Sequence, residues 1–195
     1  MEIAKGITSD NYNTLDLSDY NNSDWTKAFD YLEKRLSERY IEPIQVLQTS
    51  EIDKSPIEKK FGFAILAIDC LLIETIQSFY EGVTNSNGQS QQLFKNFLTQ
   101  RENFKTYFAT EKEAGEFYIN FRCGILHQAQ TFGDTKIWTV GKLVMLQGKY
   151  LVVNREDFHQ AVLNEMKLYL NLLNKKNDQT LLDNFKKKMD FIAAP

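Results

Sequence analysis

A chain of 195 residues is long enough for one domain with a sizeable core, and its 14 Phe and 9 Tyr within a 43% hydrophobic composition can fill that core with aromatic rings. A formal net charge of −3 argues against a dedicated, sequence-blind DNA binder, and the 25% charged fraction is ordinary for a soluble globular domain. The charge is uneven: residues 1–100 hold 9 Lys/Arg against 15 Asp/Glu, whereas residues 101–195 hold 14 against 11, which leaves room for a basic face in the second half.

The two cysteines, Cys70 and Cys123, lie in apolar helical patterns with no ligand-like spacing around them. Buried free thiols and a reducing compartment fit that placement better than a disulfide framework. Met1 to Gly6 shows no leader pattern, and the most apolar run, Phe61 to Ile73, is too short to span a bilayer and contains Asp69. The expectation is a cytoplasmic protein with no membrane attachment.

Residues 1–23, polar from position 7 onward, are expected to be irregular. Ser23 and Asp24 offer a helix N-cap. Trp25, Phe29, Leu32, Leu36 and Tyr40 then recur at helical spacing, predicting an amphipathic helix that ends near Pro43. Ser55-Pro56-Ile57-Glu58 is a capping-box start for a second helix, nearly all apolar, running to about Tyr80 and stopping near Gly82. Its second half carries a polar stripe that includes Glu74 and Gln77. Leu93, Phe94, Phe97 and Leu98 predict a short helix. A further helix is expected from Glu111 to about Thr131, with Gly133 as its stop.

The period then changes. Lys142 to Val153 predicts two short strands turning at Gln147-Gly148. Asn154 and Asp157 open another helix along Phe158, Val162, Met166, Tyr169, Leu170 and Leu173, and a last helix covers about Gln179 to Ile192. The expected fold class is all-α: a single domain over 1–195, a helical bundle with a β-hairpin inserted at 142–153 before the last helices.

Few places in this chain offer chemistry. The best is the Glu111–Thr131 helix, where Arg122 is followed five positions later by His127. Arg122 is a permanent cation, and histidine is the side chain best suited to trade protons near neutrality. Five residues on an α-helix subtend about 140°, so the two do not share one line, although the reach of Arg122 can cover part of the gap. Cys123 and His127, four apart, share a face. Gly124 costs about 1 kcal/mol of helix stability relative to Ala, which suggests that another backbone comes close. Plainer alternatives remain open. His127 can serve helix-end carbonyls, and Arg122 can form a structural ion pair with Glu74 or Glu116. A Cys123–His127 nucleophilic dyad lacks an orienting acid in the sequence.

Arg-x-x-x-x-His near the end of a helix in an all-α bundle, here Arg122 and His127 with Cys123 and Gly124 between, resembles the HEPN superfamily. The resemblance covers about residues 55–175. It implies a metal-independent endoribonuclease of the toxin–antitoxin, abortive-infection or CRISPR-associated type, without a cofactor. It further implies a homodimer whose two motifs meet in one cleft, RNA as substrate, and an antitoxin or other partner protein. Arg122 and His127 would be catalytic, Gly124 would let the motif helices approach, and Glu74 is the candidate for orienting Arg122. Active members usually place Asn, Asp or His directly after the arginine, where this chain has Cys123, and one toxin branch has Tyr where this chain has Ala129. The same resemblance is compatible with a non-catalytic module that binds RNA, a nucleotide or a partner protein.

Elsewhere, His159 has no partner by spacing. Lys186 to Lys188 fit a solvated face, and Trp138 and Tyr150 can either pack or stack on bases. No Gly-rich phosphate loop, His/Cys metal cluster or Ser-centred nucleophile motif is present in the sequence.

Overall fold

The structure, a computed structural model, describes residues 1–52 and 60–194. The predicted helix start at Ser55–Glu58 lies outside the described residues. The chain is mostly helical, with two small sheets, and its core is organised around α4 (Gly62–Tyr80). This helix buries Ile65, Leu66, Leu72, Ile73 and Ile76 together with polar Asp69, Glu74 and Gln77. Among the described residues it is the one helix long and apolar enough to cross a membrane, and it is mostly buried within the fold. Around it pack α2 (Asp24–Leu36), α5 (Ser90–Gln100), α8 (Arg155–Lys175) and α9 (Gln179–Ala193). Aromatic rings join these layers. Phe117 contacts Phe94, Phe108, Phe121 and Phe158, while Phe185 contacts Trp25, Phe29 and Phe79.

The predicted periodicities of α2, α5 and α8 coincide with their buried faces, and α9 occupies the range expected for the last helix. Asn154 caps α8 by accepting the Glu156 and Asp157 amides, and Asp178 caps α9 by accepting that of Leu181. Ser23 precedes α2 but makes no side-chain cap.

Four expectations need correction. Residues 1–23 are not irregular throughout: β1 (Glu2–Ala4) and β2 (Ile7–Thr8) form an antiparallel hairpin, followed by α1 (Ser9–Asn13). The Thr8 hydroxyl accepts the Asn11 amide while the Asn11 side chain accepts the Thr8 amide, a capping box with Asn in place of Glu. These short elements are held by tertiary burial of Ile3, Ile7, Tyr12 and Leu17, which their polar composition concealed.

Second, Pro43 does not end the helix. A wide π-helical turn at Ser37–Ile41 leads directly into α3 (Glu42–Ile52), and the Glu42 amide reaches the Ser37 carbonyl five residues back. Pro43 thus sits in a first turn, where its missing N–H costs little.

Third, the motif helix is three pieces: α6 (Glu111–Phe117), a π turn at Tyr118–Cys123 and α7 (Gly124–Gln128). It ends at Ala129, with φ of 55°, before Thr131 and Gly133.

Fourth, the hairpin belongs to a three-stranded sheet. Strands β4 (Val144–Gln147) and β5 (Tyr150–Asn154) turn through Gly148, with φ of 58°, and β3 (Thr135–Trp138) pairs parallel to β5 on its other side. The all-α expectation therefore becomes a helical bundle with a small mixed sheet. Strand β3 lacks a hairpin partner nearby in sequence, so no local turn announces it.

Candidate functional site

Arg122 lies in the π turn and is anchored from the core side by Glu74, on α4. Its Nε donates to Glu74 Oε1 at 2.7 Å and its Nη2 donates to Oε2 at 3.3 Å, a two-pronged ion pair with little solvent access. Burial opposes the guanidinium charge, but the Glu74 carboxylate more than offsets that penalty and raises the Arg122 pKa. The guanidinium also lies over the Tyr118 ring, 5.3 Å from its centroid. The remaining prong, Nη1, faces His127 Nε2 at 3.3 Å. A guanidinium nitrogen can only donate, so this contact requires His127 to present an unprotonated Nε2 and carry its proton on Nδ1. Glu116, the other sequence candidate for pairing with Arg122, is instead near Lys112, at 3.8 Å.

The π turn is the local cause of this geometry. The Gly124 amide reaches back to the Ile119 carbonyl, five residues earlier, and the Asn120 carbonyl accepts the Phe132 amide at 2.9 Å. The widened turn changes the angular relation expected from an ideal α-helix and lets Arg122 and His127 meet. Among helices, such turns concentrate at functional sites.

Gly124 is required by the chain's own return. A Cβ there would sit 2.5 Å from the Gln130 carbonyl oxygen and 3.2 Å from the Thr131 Cα. The backbone that comes close is the strap at 130–132, within the same chain. Cys123 is half-buried and contacts Tyr118, whose hydroxyl is pushed up to about 12, chiefly by burial. His127 is exposed at the end of α7. Arg122, His127 and Glu74 therefore form one chain of contacts from core to surface, with Cys123 beside it and Gly124 shaping the turn.

A second polar cluster was hardly legible in the sequence. Asp69, fully buried on α4, accepts from or donates to His159 Nδ1 of α8 at 2.8 Å. Burial raises the Asp69 carboxyl to about 6, partly offset by His159. Asp69 in an otherwise apolar run was the available signal, although nothing in spacing points from it to position 159. His159 is thus a satisfied interior residue. Cys70, beside Asp69 in sequence, is fully buried, and burial pushes its thiol pKa well up. Of the final lysines, Lys186 pairs with Asp190, and Lys188 donates to the Thr84 carbonyl.

Two cavities lie away from the Arg122–His127 pair. One of about 650 Å³ is bounded by Tyr80, Arg101, Glu165 and Leu168, and one of about 540 Å³ by Phe63, Ile137, Trp138 and Arg155. Among the described residues, no group of three or more His, Cys, Asp or Glu side chains is placed to hold a metal ion. No family model, curated protein or solved structure matches this chain.

Proposed function

We propose that this protein is a metal-independent endoribonuclease of HEPN type, in which Arg122 and His127 act on RNA. The observation that carries the reading is the exposed His127 ring, with its basic nitrogen facing an arginine fixed from the core by Glu74. With Arg122 Nη1 turned from the ring to the phosphate, His127 Nε2 would be free to take the proton of an RNA 2′-hydroxyl as the 2′-oxygen attacks the adjacent phosphorus. The bond from phosphorus to the 5′-oxygen breaks, and that oxygen leaves with a proton as a 5′-hydroxyl. The other product end is a 2′,3′-cyclic phosphate. Arg122 would bear on the charge that develops on the phosphoryl oxygens.

The site is an open helix end with exposed Ile119 beside it in sequence. A homodimer that brings two such ends together would close the cleft and supply a second histidine for the leaving oxygen. In this reading the enzyme serves stress response or defence and is restrained by an antitoxin or other partner protein.

A second reading, a non-catalytic HEPN-like module that binds RNA, a nucleotide or a partner protein, is favoured by one observation. Two of the three nitrogens of Arg122 are committed to Glu74, and Cys123 stands where an amide or carboxylate would assist.

The test uses purified protein, labelled single-stranded RNA and excess EDTA. The expected result is cleavage to cyclic-phosphate ends, reduced by about 100-fold or more in Arg122→Ala and His127→Ala, the usual scale for loss of a general base. Intact RNA across many sequences would overturn the nuclease reading, and RNA binding without cleavage would support the second.

A further inference from the structure

Strand β5 lies between β3 and β4, and the two faces of the sheet differ in kind. Ile137, Val144, Leu151 and Val153 pack toward the core. The register places Lys136 and Trp138 of β3 and Tyr150 of β5 on the opposite face, where Val152 and Asn154 between and beside them are buried, so the accessible part of this face is its β3 edge and the Tyr150 end. There the Lys136 ammonium sits 3.8 Å from the Tyr150 ring centroid and 5.7 Å from that of Trp138, and the Lys149 ammonium approaches Tyr150 at 5.3 Å. Between Gly133 and Asn154 the chain holds three lysines against one acidic residue, Asp134, although the whole chain is net acidic. Asp134 pairs with Lys149 at 3.0 Å, so this cation is shared with a carboxylate.

Trp138 is half-buried. It also walls the cavity of about 540 Å³ at the open edge of β3, together with Phe63, Ile137 and Val140. Phe63 and Val140 are 46% and 63% exposed, so that cavity has apolar edges beside exposed Lys60 and Thr139. The strap at 130–132 ties the start of the sheet to the motif helix through the Phe132 amide and the Asn120 carbonyl. Trp138 is six residues beyond Phe132, so it lies within about 20 Å of that anchor even for an extended chain.

We propose that the outer face of this sheet is a binding platform for single-stranded RNA, with a base stacked on Trp138 at the mouth of the cavity and backbone phosphates on Lys136 and Lys149. Trp138 has the Lys136 ammonium beside its ring, and Lys149 lies beyond Tyr150, an arrangement that suits a base and its phosphates together, since stacking tolerates any base and the cations track the backbone. Tyr150 holds Lys136 in place by cation–π contact. The choice of RNA as the strand rests on the nuclease reading, for which the platform would hold one stretch of the substrate while another reaches the Arg122–His127 pair.

The chain contains a built-in probe, because its other tryptophan, Trp25, is fully buried. The full-length His127→Ala protein, which leaves RNA intact, is titrated with a short single-stranded RNA of mixed sequence. Tryptophan emission and the anisotropy of labelled RNA are read together. Binding is expected to quench emission. Trp138→Ala should weaken affinity by about tenfold, and Trp138→Phe should restore most of it. Lys136→Ala with Lys149→Ala should lower the slope of log Kd against log salt by about 1.4, at about 0.7 for each of two phosphate contacts on a single strand. Unchanged emission at saturating RNA would overturn the proposal, even if Trp138→Ala fails to fold. So would Trp138→Phe and Trp138→Ala both binding like the parent. Quenching of the variant by RNA that the wild-type protein never cleaves would sink the nuclease reading and leave the platform standing. Cleavage by the wild type with no quenching of the variant would do the reverse.

Discussion

Replacing Glu74 by Gln tests whether the core-to-surface chain of contacts is what fixes Arg122. The substitution keeps the shape and one acceptor but removes the carboxylate that both Nε and Nη2 address. The two side chains are only 13% and 10% exposed, so the Arg122 charge would lose its partner in a poorly solvated place. Breaking a buried pair from one side costs about 3–5 kcal/mol, and the exposed edges place this one near about 3 kcal/mol. For a chain of this size each kcal/mol moves Tm by about 2–4 °C, so Glu74→Gln should melt about 6–12 °C lower.

Arg122→Met should lose a similar amount, because it strands Glu74. The double variant should be little worse than either, giving a coupling of about 2 kcal/mol in a double-mutant cycle. The assay is thermal and urea unfolding followed by circular dichroism on the four proteins. Single effects that simply add, within about 0.5 kcal/mol, would refute the pairing. His127→Ala belongs beside them as a contrast. Its ring is exposed and its polar contact is with Arg122 Nη1, so it should change stability by less than about 1 kcal/mol while abolishing any RNA cleavage.

Two further expectations concern the interior. The Asp69 carboxyl rises from 3.8 to about 6 on folding. Between about pH 4 and pH 6 the folded protein therefore holds a proton that the unfolded chain has released. This contribution is fully present below pH 4 and is lost as pH rises through 6, at about 1.4 kcal/mol per unit, or about 3 kcal/mol in all. Urea unfolding at half-unit steps from pH 4 to 7 should show that decline in the wild type and a flatter profile in Asp69→Asn; equal slopes would discard the assignment. Gly124→Ala should destabilise by about 1–3 kcal/mol despite the higher helix propensity of Ala, because its Cβ would meet the Gln130 carbonyl oxygen at 2.5 Å. An unchanged or higher melting temperature would show that the strap at 130–132 yields easily.

Legibility in the sequence followed the range of the forces involved. Trp25, Phe29, Leu32 and Leu36 recur at helical spacing because one face of α2 meets the core, and that face is the buried one. Both π turns escaped notice. A wide turn is set by where neighbouring segments need their carbonyls and side chains, as with Asn120 and Phe132, and leaves no composition mark. Strand β3 escaped for a related reason: Thr135–Trp138 is four residues long and pairs parallel with a strand whose first residue, Tyr150, comes twelve positions after Trp138. At the site, residue types and spacing suggested Arg122 with His127 and left Glu74 and Glu116 as alternative partners of Arg122, with Glu74 singled out only by the family resemblance. The idealised angle between Arg122 and His127 argued against close contact, and the π turn is what removes that objection. Gly124 was legible as a close approach but not as to what approaches, since a missing side chain says only that space is scarce.

Cys123 offers the most direct test of the resemblance on which the nuclease reading leans. Active HEPN proteins usually carry Asn, Asp or His at this place, and a thiol is a weak donor and weaker acceptor beside them. Cys123 shares a helix face with His127, four residues on, so a side-chain amide here can reach the histidine or a bound phosphate. The position is half-buried, and its neighbour Tyr118 has a hydroxyl able to take up a hydrogen bond from the new side chain. Cys123→Asn is therefore expected to fold, with a stability change below about 1.5 kcal/mol, the usual limit for swaps of similar volume. If the thiol limits catalysis by failing to orient His127, the variant should cut single-stranded RNA in EDTA at least about tenfold faster than wild type, a gain of about 1.4 kcal/mol in transition-state stabilisation. RNA affinity should stay within about twofold, since the amide would act in the transition state rather than in binding. The gain must vanish in Cys123→Asn with His127→Ala, which ties it to the proposed base. A folded Cys123→Asn protein no faster than wild type would mean that position 123 is not what sets the rate, and the argument from the family's pattern at that residue would fall.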